Sequence, residues 1–197
     1  MVFPFLPCSS MCVCGQTGSG KTRFVYRILQ HVKQMYANQP PDKILYCFGI
    51  LQPLFDEMEK MLSNITFLQG LPTIVVIEEF SADRRHRLIV LDDLMHRVIQ
   101  DVDMECYLHK VVTIGSVFFI TQNIFQRGSK SRTITFNTIY MVLMKDVLDV
   151  SQVATLGRQL FPGRSKVLTV SYTDALSVGP YSFLIIYASP HSEENID

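Results

Sequence analysis

The run Gly15-Gln16-Thr17-Gly18-Ser19-Gly20-Lys21-Thr22 fits the pattern G-x-x-x-x-G-K-S/T in full. Its residue types suit one task, the holding of phosphates. Glycines let the main chain wrap closely around an anion with its N–H groups turned inward. A helix that starts at the end of the run adds partial positive charge. Lys21 can reach β and γ phosphates, and the Thr22 hydroxyl can reach a Mg2+ ion. A plain glycine-rich turn between strand and helix would need neither a lysine nor a threonine in that register.

A second group is Leu88-Ile89-Val90-Leu91-Asp92-Asp93, an apolar run closed by two carboxylates. A strand ending there puts Asp92 at its C-terminal edge, where open α/β sheets bind ligands. Asp92 can then hold Mg2+ directly or through water, and Asp93 can orient or deprotonate an attacking water. The competing role is that of N-cap for a helix beginning at Leu94; the two can coexist. Gln122 ends the next apolar strand, where a neutral amide can contact a γ-phosphate or the lytic water, or simply open a loop. Three basic groups follow other logic: Arg127, Lys130 and Arg132; Arg158, Arg164 and Lys166; and Arg84, Arg85 and Arg87. Each can touch phosphate on nucleic acid or on a neighbouring subunit's nucleotide, or form a solvated surface.

These residues need elements to position them, and the chain alternates strand and helix patterns. Strands are expected over Met11–Cys14, Lys43–Phe48, Ile65–Leu68, Arg87–Leu91, Ser116–Thr121, Thr138–Met144 and Tyr181–Ala188. Helices are expected over Lys21 to about Ala37, Leu54–Leu62, Leu94 to about Gln100, and Val150–Leu160. Thr73–Phe80 is ambiguous: its β-branched run favours a strand, while Glu78 and Glu79 suit a short helix. Apolar strands separated by helices imply a mostly parallel sheet covered on both faces, an α/β three-layer sandwich. One domain over residues 1–189 is expected, followed by an acidic tail over residues 190–197.

Composition agrees with a folded domain that has a sizeable core. The chain has 197 residues, 48% hydrophobic, with 18 basic and 18 acidic side chains, so net charge does not argue for nucleic acid. Five cysteines, Cys8, Cys12, Cys14, Cys47 and Cys106, are odd in number and irregular in spacing, which reads as free thiols. Cys106 and His109 lack a second pair of zinc-ligand spacing. No run reaches the roughly 20 apolar residues of a membrane span, and the N-terminus lacks the basic start of a signal peptide. A soluble, intracellular protein without membrane contact is the expectation.

In their order and spacing the pieces resemble the genome-packaging ATPases of Polinton (Maverick) elements, adinto-like viruses and large DNA viruses, within the FtsK–HerA superfamily. The resemblance rests on Gly15–Thr22, Leu91-Asp92-Asp93-Leu94-Met95, Phe118 to Phe125 with Thr121-Gln122-Asn123 at its centre, and Arg132-Thr133-Ile134. Ile139–Met144 with Lys145-Asp146, Gly157-Arg158-Gln159 and Pro180-Tyr181 complete it. It implies an additional-strand, catalytic-acid P-loop fold that hydrolyses ATP with Mg2+. It also implies a homo-oligomeric ring, double-stranded DNA as cargo, and a capsid or portal protein as partner. Localisation would be a virus assembly site or the host nucleus. By the same resemblance Gln122 is the sensor, and Arg127, Arg132 or Arg158 acts on the neighbouring subunit. Many motors of this superfamily carry Asp-Glu where this chain has Asp92-Asp93. Two other readings stay open: a small P-loop nucleotide or metabolite kinase, and a catalytically weak nucleotide-binding assembly protein.

Overall fold

Apolar runs dense in valine, isoleucine and aromatic residues pair into one sheet. The computed structural model describes residues 5–36, 39–100, 111–113, 115–123, 125, 138–145 and 150–188. Its strands are β1 (Ser10–Cys14), β2 (Lys43–Phe48), β3 (Ile65–Gln69), β4 (Arg87–Asp92), β5 (Ser116–Thr121), β6 (Tyr140–Met144) and β7 (Phe183–Tyr187). They form a seven-stranded sheet in the order β3-β2-β4-β5-β1-β6-β7. Every neighbouring pair is parallel except β6 and β7, which run antiparallel. The fold is therefore an α/β three-layer sandwich with a mostly parallel sheet, as the alternating pattern predicts.

Among the described residues the helices are α1 (Lys21–Gln30), α2 (Val32–Met35), α3 (Leu54–Met61), α4 (Ile74–Ser81), α5 (Met95–Gln100), α6 (Val150–Leu160) and α7 (Ser165–Ser177). Side-chain alternation divides them between the two faces of the sheet. Met11, Val13, Ile44, Tyr46, Leu88, Val90, Phe118 and Val142 face α1, α2 and α3. Cys12, Leu45, Cys47, Ile89, Leu91, Val117 and Phe119 face α4 and α5, while Cys14, Met141, Leu143 and Ile186 face α6 and α7. The central strands β1, β4, β5 and β6 are buried along their whole length. Each large apolar side chain buried this way contributes about 1.5–3 kcal/mol, which fixes the register of the strand ends that carry the site.

Three elements depart from the sequence expectation. The first helix does not run through to Ala37; it breaks at His31. The Arg27 carbonyl, which an unbroken helix would pair with the His31 N–H, instead lies 3.0 Å from His31 Nδ1. The His31 N–H turns to the Ile28 carbonyl at 3.1 Å. The ambiguous segment is a helix, α4, because the Thr73 hydroxyl caps it by accepting from Val76 N at 3.3 Å. And α7, which no expectation covered, is held by a single stripe of Leu168, Tyr172 and Leu176. Gly157 lets α7 approach α6: a Cβ there would lie 2.7 Å from the Ser165 carbonyl oxygen.

Candidate functional site

The phosphate-loop run lies where β1 hands over to α1. Cys14 ends the strand, and Gly15 N donates to the Thr121 carbonyl of β5 at 3.3 Å, which ties the loop to the neighbouring strand. Gly18 and Gly20 take φ values of +82° and +93°, which side chains with a Cβ rarely adopt. Gly20 is the cap residue of α1, so the chain turns from left-handed backbone straight into the helix. Gly15 answers a different demand. A Cβ there would sit 2.7 Å from Met144 Cβ and 2.8 Å from Ser19 Oγ. The Lys21 ammonium folds back over this loop, donating to the Gly15 carbonyl at 2.6 Å and the Gln16 carbonyl at 2.9 Å.

Asp92 is the last residue of β4 and only 5% exposed. Its Oδ2 accepts from the Thr22 hydroxyl at 3.2 Å and from the Tyr46 hydroxyl at 2.8 Å. Burial pushes the Asp92 carboxyl up from its ordinary range, while the Tyr46 and Thr22 hydrogen bonds pull it down; the neighbouring Asp93 charge raises it and Lys21 lowers it. Burial and the adjoining carboxylate push the Tyr46 phenol well above its usual value, so it stays a proton donor. Tyr46 was not among the residues expected here. It sits in the middle of the apolar strand β2, and only the pairing of β2 with β4 brings it to Asp92.

Asp93 takes φ +57°, which turns the chain out of the strand. Its N–H donates to the Ile120 carbonyl at 3.0 Å, and its Oδ2 accepts from Gln122 Nε2 at 3.4 Å. The two aspartates and Gln122 thus meet at the C-terminal ends of β4 and β5. The alternative role of helix cap does not apply to Asp92: α5 starts at Met95, and the Asp92 side chain is engaged by Thr22 and Tyr46.

A cavity of about 760 Å3 opens over the loop, and its lining includes Lys21, Thr22, Asp92, Asp93 and Gln122. Its size suits a nucleotide-sized ligand. Met144, Tyr181 and Phe183, from the β6 and β7 side of β1, line it as well. Thr22 and Asp92 offer the hard oxygen donors that Mg2+ takes, and their side chains already touch, so the donor set fits that ion. Groups of three or more His, Cys, Asp or Glu able to hold a metal are absent among the described residues.

The basic groups fall elsewhere. Arg87 is buried at the start of β4, the end of the strand away from Asp92, where it pairs with Asp42 at 2.7 Å and with Asp83 and lies over the Phe80 ring. Arg85 reaches the same two carboxylates at 3.5 and 3.7 Å. The phosphate-binding role considered for this group does not hold for Arg87, because its guanidinium is committed to closing the far end of the sheet. Arg158 is exposed on α6, bonded to Thr155 Oγ1 at 2.8 Å, and does not line the cavity. Arg127 and Arg132, like Cys106, His109 and the acidic tail, lie outside the described residues. Cys8, Cys12, Cys14 and Cys47 are thiols outside any disulfide, and burial pushes Cys12 and Cys47 up to about 12. Among the described residues, no helix is long and apolar enough to cross a membrane.

No family model and no curated protein matches the chain. Solved structures do. The genome packaging NTPase B204 from Sulfolobus turreted icosahedral virus 2, in complex with ATP-gammaS, superposes with a TM-score of 0.57 at 11% identity, over 92% of this chain and 93% of that one. The flagellar accessory protein FlaH from Methanocaldococcus jannaschii gives a TM-score of 0.48 at 12% identity, over 72% of each chain. At such identity the likeness to B204 is one of fold, and the fold shared is that of the P-loop NTPases.

Proposed function

We propose that this chain hydrolyses ATP with Mg2+ and couples turnover to movement of double-stranded DNA, as the genome-packaging motor of a virus or a Polinton-type element. The observation that carries the reading is the contact of Thr22 Oγ1 with Asp92 Oδ2 at 3.2 Å, beside a lysine ammonium poised over the phosphate loop. A triphosphate needs those three groups at its outer end. The packaging role draws on the Thr121-Gln122-Asn123 and Arg158-Gln159 elements of the sequence and on the fold shared with a viral packaging NTPase.

In this reading the amides of Gly15–Gly20 hold the β-phosphate, and Lys21 leaves its two carbonyl partners to pair with the β and γ oxygens. Thr22 and Asp92 would hold Mg2+, which spreads the negative charge of the terminal phosphates when bound. Asp93 accepts the proton of a water that attacks the γ-phosphorus in line. The bond from that phosphorus to the β–γ bridging oxygen breaks, and ADP and phosphate leave. Gln122, hydrogen-bonded to Asp93, orients the water and responds to loss of the γ-phosphate. Subunits assemble into a ring in which Arg127, Arg132 or Arg158 reaches the neighbour's nucleotide; the exposure of Arg158, away from its own cavity, suits that role.

The test is steady-state release of phosphate from ATP, with and without linear double-stranded DNA. Turnover that rises with DNA is expected. Turnover indifferent to DNA would leave an ATPase and remove the motor.

A further inference from the structure

The phosphate loop fixes the direction in which a nucleotide must lie. Asp92, Asp93 and Gln122 stand at the ends of β4 and β5, on one side of β1 in the sheet. Since these groups define where the outermost phosphate sits, the sugar and base must extend the other way, over β6 and β7. On that side the cavity wall is apolar: Met144 at the end of β6, Tyr181 in the turn before β7 and Phe183 at the start of β7.

Tyr181 is placed oddly for a residue with only a packing role. It is 67% exposed, yet its ring leans over the loop, so that a Cβ on Gly20 would lie 3.2 Å from Tyr181 Cδ1. The turn that carries it is braced from below. The Phe183 ring packs edge-on against Phe24 of α1 with centroids 4.7 Å apart, and the Ser182 hydroxyl donates to the Gly179 carbonyl at 3.0 Å. The helix that begins at the phosphate loop and the strand that follows the tyrosine are thereby joined by one aromatic contact. An exposed aromatic ring, held beside a phosphate site on the side away from the hydrolytic groups, is a surface for a planar partner.

We infer that Tyr181 is the platform on which the base of the bound nucleotide stacks, with Met144 and Phe183 forming the apolar floor beneath it. The inference rests on the nucleotide-binding part of the proposed function and names how that site takes the base. Stacking engages the π-face and not the hydrogen-bonding edge of the base. ATP and GTP therefore depend on Tyr181 to a similar degree.

The experiment compares two ligands, ATP and inorganic tripolyphosphate, which has no base. Binding of each is measured by calorimetry to the full chain and to Tyr181→Ala and Tyr181→Phe. Tyr181→Ala should weaken ATP by about tenfold, within the range of base–aromatic stacking, and leave tripolyphosphate unchanged; Tyr181→Phe should bind both like the parent. The chain contains no tryptophan, so Tyr181→Trp provides a single indole. Its emission should be quenched by ATP and not by tripolyphosphate. Equal losses for ATP and tripolyphosphate in Tyr181→Ala, or no loss for ATP, would overturn the platform while leaving the phosphate loop intact. A parent chain that binds neither ligand would overturn the phosphate loop and the platform together.

Discussion

The Tyr46 hydroxyl donates to Asp92 Oδ2 at 2.8 Å, the same oxygen that accepts the Thr22 hydroxyl. Neighbouring strands β2 and β4 bring tyrosine and aspartate together. The tyrosine ring packs among Phe55 and Phe67 at centroid distances of 5.2 and 5.4 Å, so the hydroxyl is aimed by its surroundings. Tyr46→Phe keeps that packing and removes one hydrogen bond. It should reduce Mg2+-dependent ATP turnover by about tenfold, the lower range for loss of a partner behind a metal-binding group. Nucleotide binding in the presence of a chelator should stay as in the parent. Titration of turnover against Mg2+ concentration checks this, and an unchanged titration would remove Tyr46 from the site.

In the proposed mechanism Asp93 and Gln122 serve the chemical step and not nucleotide binding. Asp93→Asn keeps the size of the side chain and removes the proposed base. It should lower kcat by about 100-fold or more, the usual contribution of a positioned general base, with little change in the dissociation constant of ATP. Gln122→Ala should lower kcat by a smaller factor and leave binding intact. Single-turnover hydrolysis alongside equilibrium binding distinguishes the two parameters. Equal losses in binding and kcat would place these residues in substrate binding instead.

Much of this arrangement is legible in the sequence, because the motif dictates both residue type and backbone geometry. Gly15–Thr22 announces a strand, a turn and a helix, and an apolar run ending in Asp92 announces a strand edge. Gln122 follows the same rule on β5. The places of Tyr46 and Tyr181 at the site were hidden for a different reason, although Pro180-Tyr181 is part of the resemblance. Tyr46 reaches Asp92, and Tyr181 the cavity, through strand order, β2 beside β4 and β7 beside β6, and strand order is set by non-local pairing. Arg87 illustrates the converse. Its charge suggested a phosphate contact, but Asp42, far away in sequence, and Asp83 claim it at the opposite sheet end. The helix α7 left a faint trace in Leu168, Tyr172 and Leu176, masked by Val167, Thr169, Val170 and Thr173, whose β-branched side chains lower helix propensity.

The loop glycines differ in what they tolerate. Gly15→Ala forces a Cβ into Met144 Cβ at 2.7 Å and Ser19 Oγ at 2.8 Å. It should destabilise the fold by about 1–3 kcal/mol, as overpacking does, and abolish ATP binding by moving the loop. Gly18→Ala meets nothing within 4 Å and suffers only from φ +82°, a cost of about 1–2 kcal/mol. Thermal melts with ATP titrations on both variants provide the check. Retained ATP affinity in Gly15→Ala would contradict the tight loop geometry.

His86 gives the fold a pH dependence away from the site. It is 3% exposed, its Nδ1 lies 2.6 Å from the Gln39 carbonyl and its Nε2 2.9 Å from Ser116 Oγ. Burial holds its pKa below the ordinary 6.5, against a smaller upward pull from the Gln39 carbonyl. In the unfolded chain the imidazole takes up a proton at higher pH than in the fold. Its stabilising contribution is therefore complete above 6.5 and is lost as pH falls from there through the folded value. Melting temperatures measured between about pH 7.5 and 5.5, across the usual histidine range, should fall more steeply for the parent than for His86→Gln. Parallel curves would show that His86 does not titrate with folding.

The most direct measurement is ATP hydrolysis and ATP binding by Lys21→Ala beside the parent chain, under identical Mg2+. The Lys21 ammonium donates to the loop carbonyls of Gly15 and Gln16 and lies outside the apolar core, so its removal should spare the core and the melting temperature. Turnover should fall to background, with ATP affinity reduced by about tenfold or more, as expected for losing a charge-assisted phosphate contact. Turnover equal to that of the parent would contradict the claim that Gly15–Thr22 holds the triphosphate.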